Sequence, residues 1–501
     1  MHQQVYHSLD IQAWEQRWFS AQNSSYGLMQ QVAWTIAQRL DSLFQSEFQS
    51  TARLAHKIKK IAIWCGAGNN AGDGYCIASY LQQFGYEVEI FASAIGVSQD
   101  LKRAVEYAQH NKVKIHQHFK IETVFDCHID ALFGIGLNRD LNLSWQTIIQ
   151  DFNAQSGLKI AVDIPSGLAA NTGQVLPCAI KADRTFTVLG LKAGLFTGQG
   201  KEYTGQIEVV SLIPTDSSLT AIAQLSPTVI HLPERQAFGH KGSYGHVLVV
   251  GGHADMGGAV MMAAEAAFRA GAGKVTIVCH AKHHTAILAR APNIMLRDID
   301  ALTETEIEQL LDHVDAVCLG MGLGRDSWSE QQYFTWFPKI NNTQHLEVVL
   351  DADALWFLAL HPEPLAHNIY ATPHSGEAAK LLNCPVAKIE SDRIDAINQL
   401  QQKYAGQWVL KGAGSLILED QLWICTAGNP GMGTGGMGDV LAGMVASLKA
   451  QFHHAIQLHQ IVTLHALAGD YLAQQGMRGL QAQHMSEAIY YVVNHALNKA
   501  E

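Results

Sequence analysis

Short apolar runs recur along the chain, and most of them end abruptly in glycine. KIAIWC, from Lys60, stops at GAGNNAGDG (residues 66–74), after which Ile77, Ala78, Leu81 and Phe84 fall at helical spacing. Strand, glycine-bearing loop and helix form the opening unit of a parallel α/β sheet, whose strands are buried on both faces and read as continuous hydrophobic runs. The same pattern predicts strands at residues 87–92, 130–133, 159–164 and 185–189, with the loops GIGLNRD (134–140) and PSG (165–167) at strand ends. Upstream, residues 1 to about 50 predict helix, with Leu28, Met29, Val32, Ile36 and Leu40 on one apolar face.

Between residues 211 and 233 the periodicity lapses into SLIPTDSSLTAIAQLSPTVIHLP, rich in Ser, Thr and Pro. This stretch predicts a domain boundary near residue 222, giving domains 1–222 and 223–501. A second α/β series follows, with strands at 245–250, 274–278, 316–319, 348–350, 370–372 and 408–410. A hairpin-like pair, LILED and QLWIC, comes next. The expected fold class is therefore α/β, two αβα domains in tandem, as 501 residues exceed one ordinary core.

After the hairpin comes TAGNPGMGTGGMGDVLAG (426–443), with Gly428, Gly431, Gly433, Gly435, Gly436 and Gly438 in close succession. Such a loop can turn backbone N–H groups inward around phosphate oxygens, and Val440, Leu441, Met444, Val445 and Leu448 then carry a helix whose positive end faces the same anion. One carboxylate, Asp439, stands at the helix mouth. Beside phosphates it suits a proton acceptor for a hydroxyl under phosphorylation, or a metal ligand. Lys411-Gly412-Ala413-Gly414-Ser415 adds backbone donors and a cation, His374 and Glu377 a donor and a carboxylate, and Asp351 and Asp353 a pair suited to a solvated or metal-linked role. Taken singly, each reads equally as turn and cap chemistry.

Composition narrows the partners. A net charge of −11 disfavours nucleic acid and anionic membrane, and no segment approaches a membrane-spanning run or a leader. The eight cysteines form no CxxC and read as reduced thiols of a cytoplasmic protein.

HKGSYGHVLVVGG (240–252), MGLG (321–324), DADAL (351–355), TPHSGE (372–377), KGAGS (411–415) and NPGMGTGGMGDVLAG (429–443) together resemble the dehydratase half of the bifunctional NAD(P)H-hydrate repair enzymes. The resemblance implies a ribokinase-like fold and removal of water from hydrated NADH or NADPH, driven by ADP or ATP with magnesium. It implies Asp439 as catalytic base, Gly433, Gly435, Gly436 and Gly438 as an anion hole, and Gly438 with Lys411 to Ser415 on the adenine nucleotide. Ala259, Gly322, His374 and Asp439 would hold the hydrated dinucleotide. Met321 stands where the family has Pro, and Ser415 where it has Thr. Without the resemblance, a small-molecule kinase of the ribokinase type fits the glycine loop and Asp439 as well.

GNNAGDG (68–74), DALFGIGL (130–137), VDIPSG (162–167) and GLKAGLFTGQG (190–200) resemble the epimerase half of the same enzymes, a Rossmann-like domain that interconverts the R and S hydrates. By that resemblance Asn70, Asp130 and Ser166 bind potassium, and Asn69, Asn70, Ala71, Gly72, Asp73, Gly134, Ile135, Gly136, Leu137, Asn138, Arg139, Asp140 and Asp163 contact substrate. Asp163 and Lys192, a carboxylate and an amine facing one ring, are the expected proton carriers. The other reading of this half is a binding module without turnover. Ala71 replaces the family's second glycine, and Gln30 and Trp34 replace Glu and Gly. The family also implies a homo-oligomer.

Overall fold

The computed structural model describes residues 4–50, 58–92 and 96–495. The chain divides into two compact units, Met1–Gln224 and Leu225–Glu501.

In the first unit the strands run, edge to edge, Lys114–His116, Glu87–Ala92, Lys60–Cys65, Cys127–Ala131, Leu158–Val162, Arg184–Val188 and Gln206–Val210. Every neighbouring pair is parallel. Counted along the chain, the order is 3-2-1-4-5-6-7, the doubly wound arrangement, and it reverses between Lys60–Cys65 and Cys127–Ala131. Alternate residues of the first strand enter different cores: Ile61, Ile63 and Cys65 pack on one face, Ala62 and Trp64 on the other. Two covered faces are why these strands lack a polar/apolar alternation.

The expected N-terminal helix is broken into pieces. Gln4–Tyr6 is a short strand, Ser8–Ser20 and Ser25–Ser50 are helices, and residues 1–3 lie outside the described residues. Leu28, Met29, Val32, Ile36 and Leu40 are buried, the face their spacing predicts. The helix after the first strand begins at Asn69, inside the glycine-bearing loop. Ala71 therefore sits in a helical first turn, buried, with no left-handed backbone for a glycine to relieve.

The second unit repeats the order. Met295–Asp298, Lys274–Cys279, His246–Val250, Ala316–Leu319, Glu347–Leu350, Leu365–Ala371 and Ala405–Leu410 form a parallel run, extended antiparallel by Leu416–Leu418 and Leu422–Ile424. Its centre is a pair of closely packed helices, Gly257–Arg269 and Met437–Phe452. A Cβ built at Gly443 would lie 2.0 Å from the carbonyl oxygen of Ala263, so only glycine fits there. Further along, Ser447 Oγ donates to Ala267 O (2.7 Å) and Gln451 Nε2 to Ala270 O (3.1 Å). Residue numbers rise together on both helices, so the two run parallel.

Two candidate active sites

The loops after the first and fourth strands of the N-terminal unit flank the point where strand order reverses, the place where open α/β sheets bind ligands. A cleft of about 570 Å³ opens there. Its walls include Asn69, Asn70 and Asp73 from one loop and helix, Gly134 to Arg139 from another, and Asp163. Of the residues expected to contact substrate, Ala71 and Gly72 are buried behind this wall, and Asp140, exposed, is not part of it.

Asp163 follows its strand in a left-handed backbone (φ 71°), a costly conformation for a residue with a side chain, of the kind retained where a group must be aimed. Its Oδ1 accepts from Lys192 Nζ (2.6 Å) and Val188 N (3.2 Å), and Oδ2 from Ile135 N (3.1 Å). Lys192 is 0% exposed and spends its remaining donors on Thr187 Oγ1 (2.9 Å) and Val188 O (2.7 Å). The amine expected to face the ring is thus sealed beneath Asp163 and reaches the cleft only through it.

Behind the same wall, Asp130 Oδ1 accepts from Ser166 Oγ (2.6 Å) and Leu132 N (3.0 Å), and Oδ2 from Ser166 N (2.8 Å). Burial pushes its carboxyl up to about 6, against the pull of the Ser166 and Leu132 hydrogen bonds. Both side-chain polar atoms of Asn70 are buried without a partner. A buried carboxylate, a hydroxyl and an orphaned amide oxygen make an oxygen-only donor set, which fits a hard cation.

In the C-terminal unit, Gly436 (φ 91°) caps the Met437–Phe452 helix and places Gly438 and Asp439 in its first turn. Lys411 Nζ donates to Asp351 Oδ1 (2.6 Å) and lies 3.9 Å from Glu377 Oε2. A Cβ on Gly438 would fall 3.0 Å from Asp351 Oδ2 and 3.1 Å from Lys411 Nζ, so the glycine loop, the lysine and the aspartate form one site. Asp439 makes no hydrogen bond or ion pair among the described residues. Burial and the neighbouring charge of Asp351 push its carboxyl up to about 7, with Lys411 opposing. Glu377 is likewise raised to about 7 by burial, which Lys411 partly offsets.

Several expected roles change here. Asp351 and Asp353 are not solvated: both are buried, Asp351 against Lys411, Asp353 accepting from Arg325 Nε (2.7 Å) and Gly324 N (2.9 Å). His374 caps the Ser375–Leu381 helix, its Nδ1 accepting from Gly376 N (2.9 Å), so that nitrogen is an acceptor and not a donor. Ala259 and Gly322 come together, a Cβ on Gly322 falling 3.2 Å from that of Ala259. Gly412 and Ala413 are exposed, in a turn closed by Gly412 N donating to Ser415 Oγ (3.2 Å).

Residues without a local motif complete the frame. Arg393, buried, donates from Nη2 to Leu410 O (3.0 Å) and Lys411 O (3.1 Å), holding the strand end that aims Lys411. Asp470 accepts from Gly428 N (2.8 Å) and Asn429 Nδ2 (2.9 Å), anchoring the start of the glycine loop. Neither position carries a spacing that sequence reading could have used.

Two doubly wound units, each with an aspartate–lysine pair and a helix mouth at its strand ends, define a two-site α/β enzyme. The profile described as NAD(P)H-hydrate dehydratase matches residues 247–490, and that described as YjeF-related protein N-terminus matches residues 25–194. The bifunctional NAD(P)H-hydrate repair enzyme of Coxiella burnetii is 36% identical over 458 residues, 87% of this chain and 90% of that one. Its Escherichia coli counterpart is 37% identical over 448 residues, 86% of this chain and 84% of that one. A Bacillus subtilis ADP/ATP-dependent NAD(P)H-hydrate dehydratase, co-crystallized with ATP/Mg2+, is 26% identical with a TM-score of 0.44, covering 53% of this chain and 94% of that one. The chain belongs to the family of bifunctional NAD(P)H-hydrate repair enzymes.

Proposed function

We propose that this chain restores hydrated NADH and NADPH: residues 1–222 epimerise the R and S hydrates, and residues 223–501 dehydrate the S form while ADP becomes AMP and phosphate, ATP being the other nucleotide of the family. The observation that carries the reading is Asp439, an unpartnered carboxylate with a near-neutral pKa at the mouth of a glycine-capped helix beside Lys411.

Hydration puts a hydroxyl on the ring carbon next to nitrogen, and hydroxide is a poor leaving group. Asp439 takes the hydroxyl proton as the oxygen attacks the terminal phosphorus of the nucleotide, and AMP departs. The first-turn N–H groups of the Met437–Phe452 helix and the Lys411 ammonium face the charge that develops on the phosphoryl oxygens. The ring nitrogen then expels phosphate, and loss of a proton from the neighbouring carbon restores the dihydronicotinamide. Magnesium, arriving on the nucleotide, would neutralise phosphate charge beside these carboxylates. Gly412 to Ser415 contact the adenine nucleotide in this reading, and Ala259, Gly322 and His374 the hydrate.

In the N-terminal unit Asn70, Asp130 and Ser166 would hold potassium, which supplies positive charge to a substrate phosphate or hydroxyl nearby. Asn69, Asn70, Asp73, Gly134 to Arg139 and Asp163 bind the hydrate, Asp163 moves protons, and Lys192 fixes its charge and direction. The reading extends to a cytoplasmic homo-oligomer; buried free thiols at Cys65, Cys76, Cys279 and Cys318 support a reducing compartment. No described helix is long and apolar enough to cross a membrane.

The test is recovery of dihydronicotinamide absorbance from a mixed-epimer preparation of NADH hydrate with ADP, ATP or no nucleotide, plus magnesium and potassium. Nucleotide-dependent recovery of both epimers, lost in Asp439→Asn, is the expected result. Recovery that stops with one epimer spent overturns the N-terminal assignment; a stable phosphorylated product overturns the C-terminal one.

A further inference from the structure

With Lys192 sealed, a proton-transfer pair across the N-terminal cleft lacks its second member. Epimerising a carbon that bears a hydroxyl beside nitrogen requires one group to give a proton as water leaves and one to take a proton as water returns on the other face. Asp163 is a candidate for one role, its carboxylate already accepting from Lys192, Val188 N and Ile135 N.

The Ser8–Ser20 helix contributes Ile11, Gln12 and Glu15 to the cleft wall, at the spacing of one helical face. It is fastened along its length: Ser8 N donates to Asn171 Oδ1 (2.9 Å), Trp14 Nε1 to Pro214 O (3.2 Å), and Arg17 pairs with Asp216. Glu15 is half-buried on this fixed helix, yet it makes no hydrogen bond or ion pair among the described residues. Burial first, and then the charge of Asp163, raise its carboxyl above the ordinary range, with Lys192 opposing. Asp73 is held well above its usual value by burial, by Asp163 and by Glu15. An unpartnered carboxylate kept among two others destabilises the fold, and such groups persist where chemistry uses them. The orphaned side chain of Asn70 on the same wall marks a surface built to be covered by a ligand.

We propose that Glu15 is a catalytic acid–base residue of the N-terminal cleft, exchanging a proton with the ring hydroxyl while Asp163 serves the other face. The proposal rests on the reading of this unit as an epimerase. In one direction the Glu15 carboxyl gives its proton to the hydroxyl; the carbon–oxygen bond breaks, the nitrogen lone pair forms a carbon–nitrogen double bond, and water leaves. Water then adds to the opposite face, the electron pair returns to nitrogen, and Asp163 takes the proton. The two carboxyls swap roles for the other epimer, nothing is oxidised or reduced, and water is the only co-reactant.

The test uses the full chain. Consumption of the R hydrate with ADP, corrected for uncatalysed exchange, reports epimerisation, while consumption of the S hydrate reports the C-terminal site alone. Glu15→Gln is expected to lower kcat for the R hydrate by about 10²-fold or more, with KM within about twofold and S-hydrate turnover unchanged. Glu15→Asp, which keeps the acid one methylene shorter, is expected to recover part of the loss, so a misfolded Gln variant cannot imitate the result. An unchanged kcat, or a loss confined to KM, in Glu15→Gln overturns the proposal and leaves the epimerase reading standing. A wild type that never consumes the R hydrate overturns both.

Discussion

Both units share a strand order and a buried aspartate–lysine pair with an oxygen–nitrogen distance of 2.6 Å, but they turn that pair opposite ways. In the N-terminal unit the Lys192 side chain is 0% exposed and Asp163 11%, so the cleft meets the carboxylate. In the C-terminal unit Lys411 is 20% exposed and Asp351 3%, so the site meets the cation. The first arrangement suits proton transfer to a ligand ring, the second the reception of phosphates. One framework thus hosts two chemistries according to which partner of an ion pair is buried.

The sharpest break would come at Asp439. Asp439→Asn is expected to lower S-hydrate turnover by about 10²- to 10⁴-fold, the usual worth of a general base, while R-to-S exchange persists. In the wild type, kcat/KM for the S hydrate is expected to fall about tenfold per pH unit below about 7, since the base must be unprotonated and its carboxyl titrates at about 7. A flat profile between pH 5 and 7 would remove Asp439 from that role.

Removing each lysine tests the inversion itself. Lys192→Met strands Asp163 beside a sealed space and is expected to destabilise its unit by about 3–5 kcal/mol. Lys411→Met leaves room for water and is expected to cost about 1.5–3 kcal/mol, with a raised KM for nucleotide. Urea titration followed by hydrogen exchange on peptides of each unit measures both; equal losses would mean that the difference in exposure has no energetic meaning.

A smaller effect follows from the raised carboxyl of Asp439. Its folded value lies above the ordinary 3.8, so the folded state binds the proton more tightly, and stability falls as pH rises from about 4 through about 7. Asp439→Asn is therefore expected to raise the melting temperature at pH 8 and to leave it unchanged at pH 3; destabilisation at pH 8 would contradict the sign. Smallest of all, Ala71→Gly is expected to cost about 0.5–1 kcal/mol, because the position is helical, with epimerisation unchanged. A stabilising Ala71→Gly would show that the family's glycine answers a backbone need.

The alternating strands and glycine-bearing loops were legible because local rules dictate them: a strand buried on both faces must be apolar, as in residues 60–65, and a left-handed helix cap selects glycine, as at Gly436. Asp439 was legible for the same reason, being fixed by the loop that precedes it. What escaped depends on distant packing. Lys192 and Asp163 could be paired by motif, but only the fold reveals which of them is sealed. Arg393 and Glu15 belong to no motif: the first is buried where one strand end turns the carbonyls of Leu410 and Lys411 onto it, and the second reaches the cleft wall only through the packing of its helix. The expected start of the first glycine-loop helix was late because Asn69 and Asn70, poor interior formers, serve in its opening turn.

Gly443 carries a consequence for what the C-terminal site can evolve to accept. One turn before the contact of Gly443 with Ala263 stand Asp439 on one helix and Ala259 on the other. Because the helices run parallel and touch backbone to backbone there, any side chain at 443 would wedge them apart and carry those two positions with it. The calibre of the chamber between those two positions is gauged by a missing methyl group about two turns into the helix, and a lineage that filled it would have to find a wider ligand.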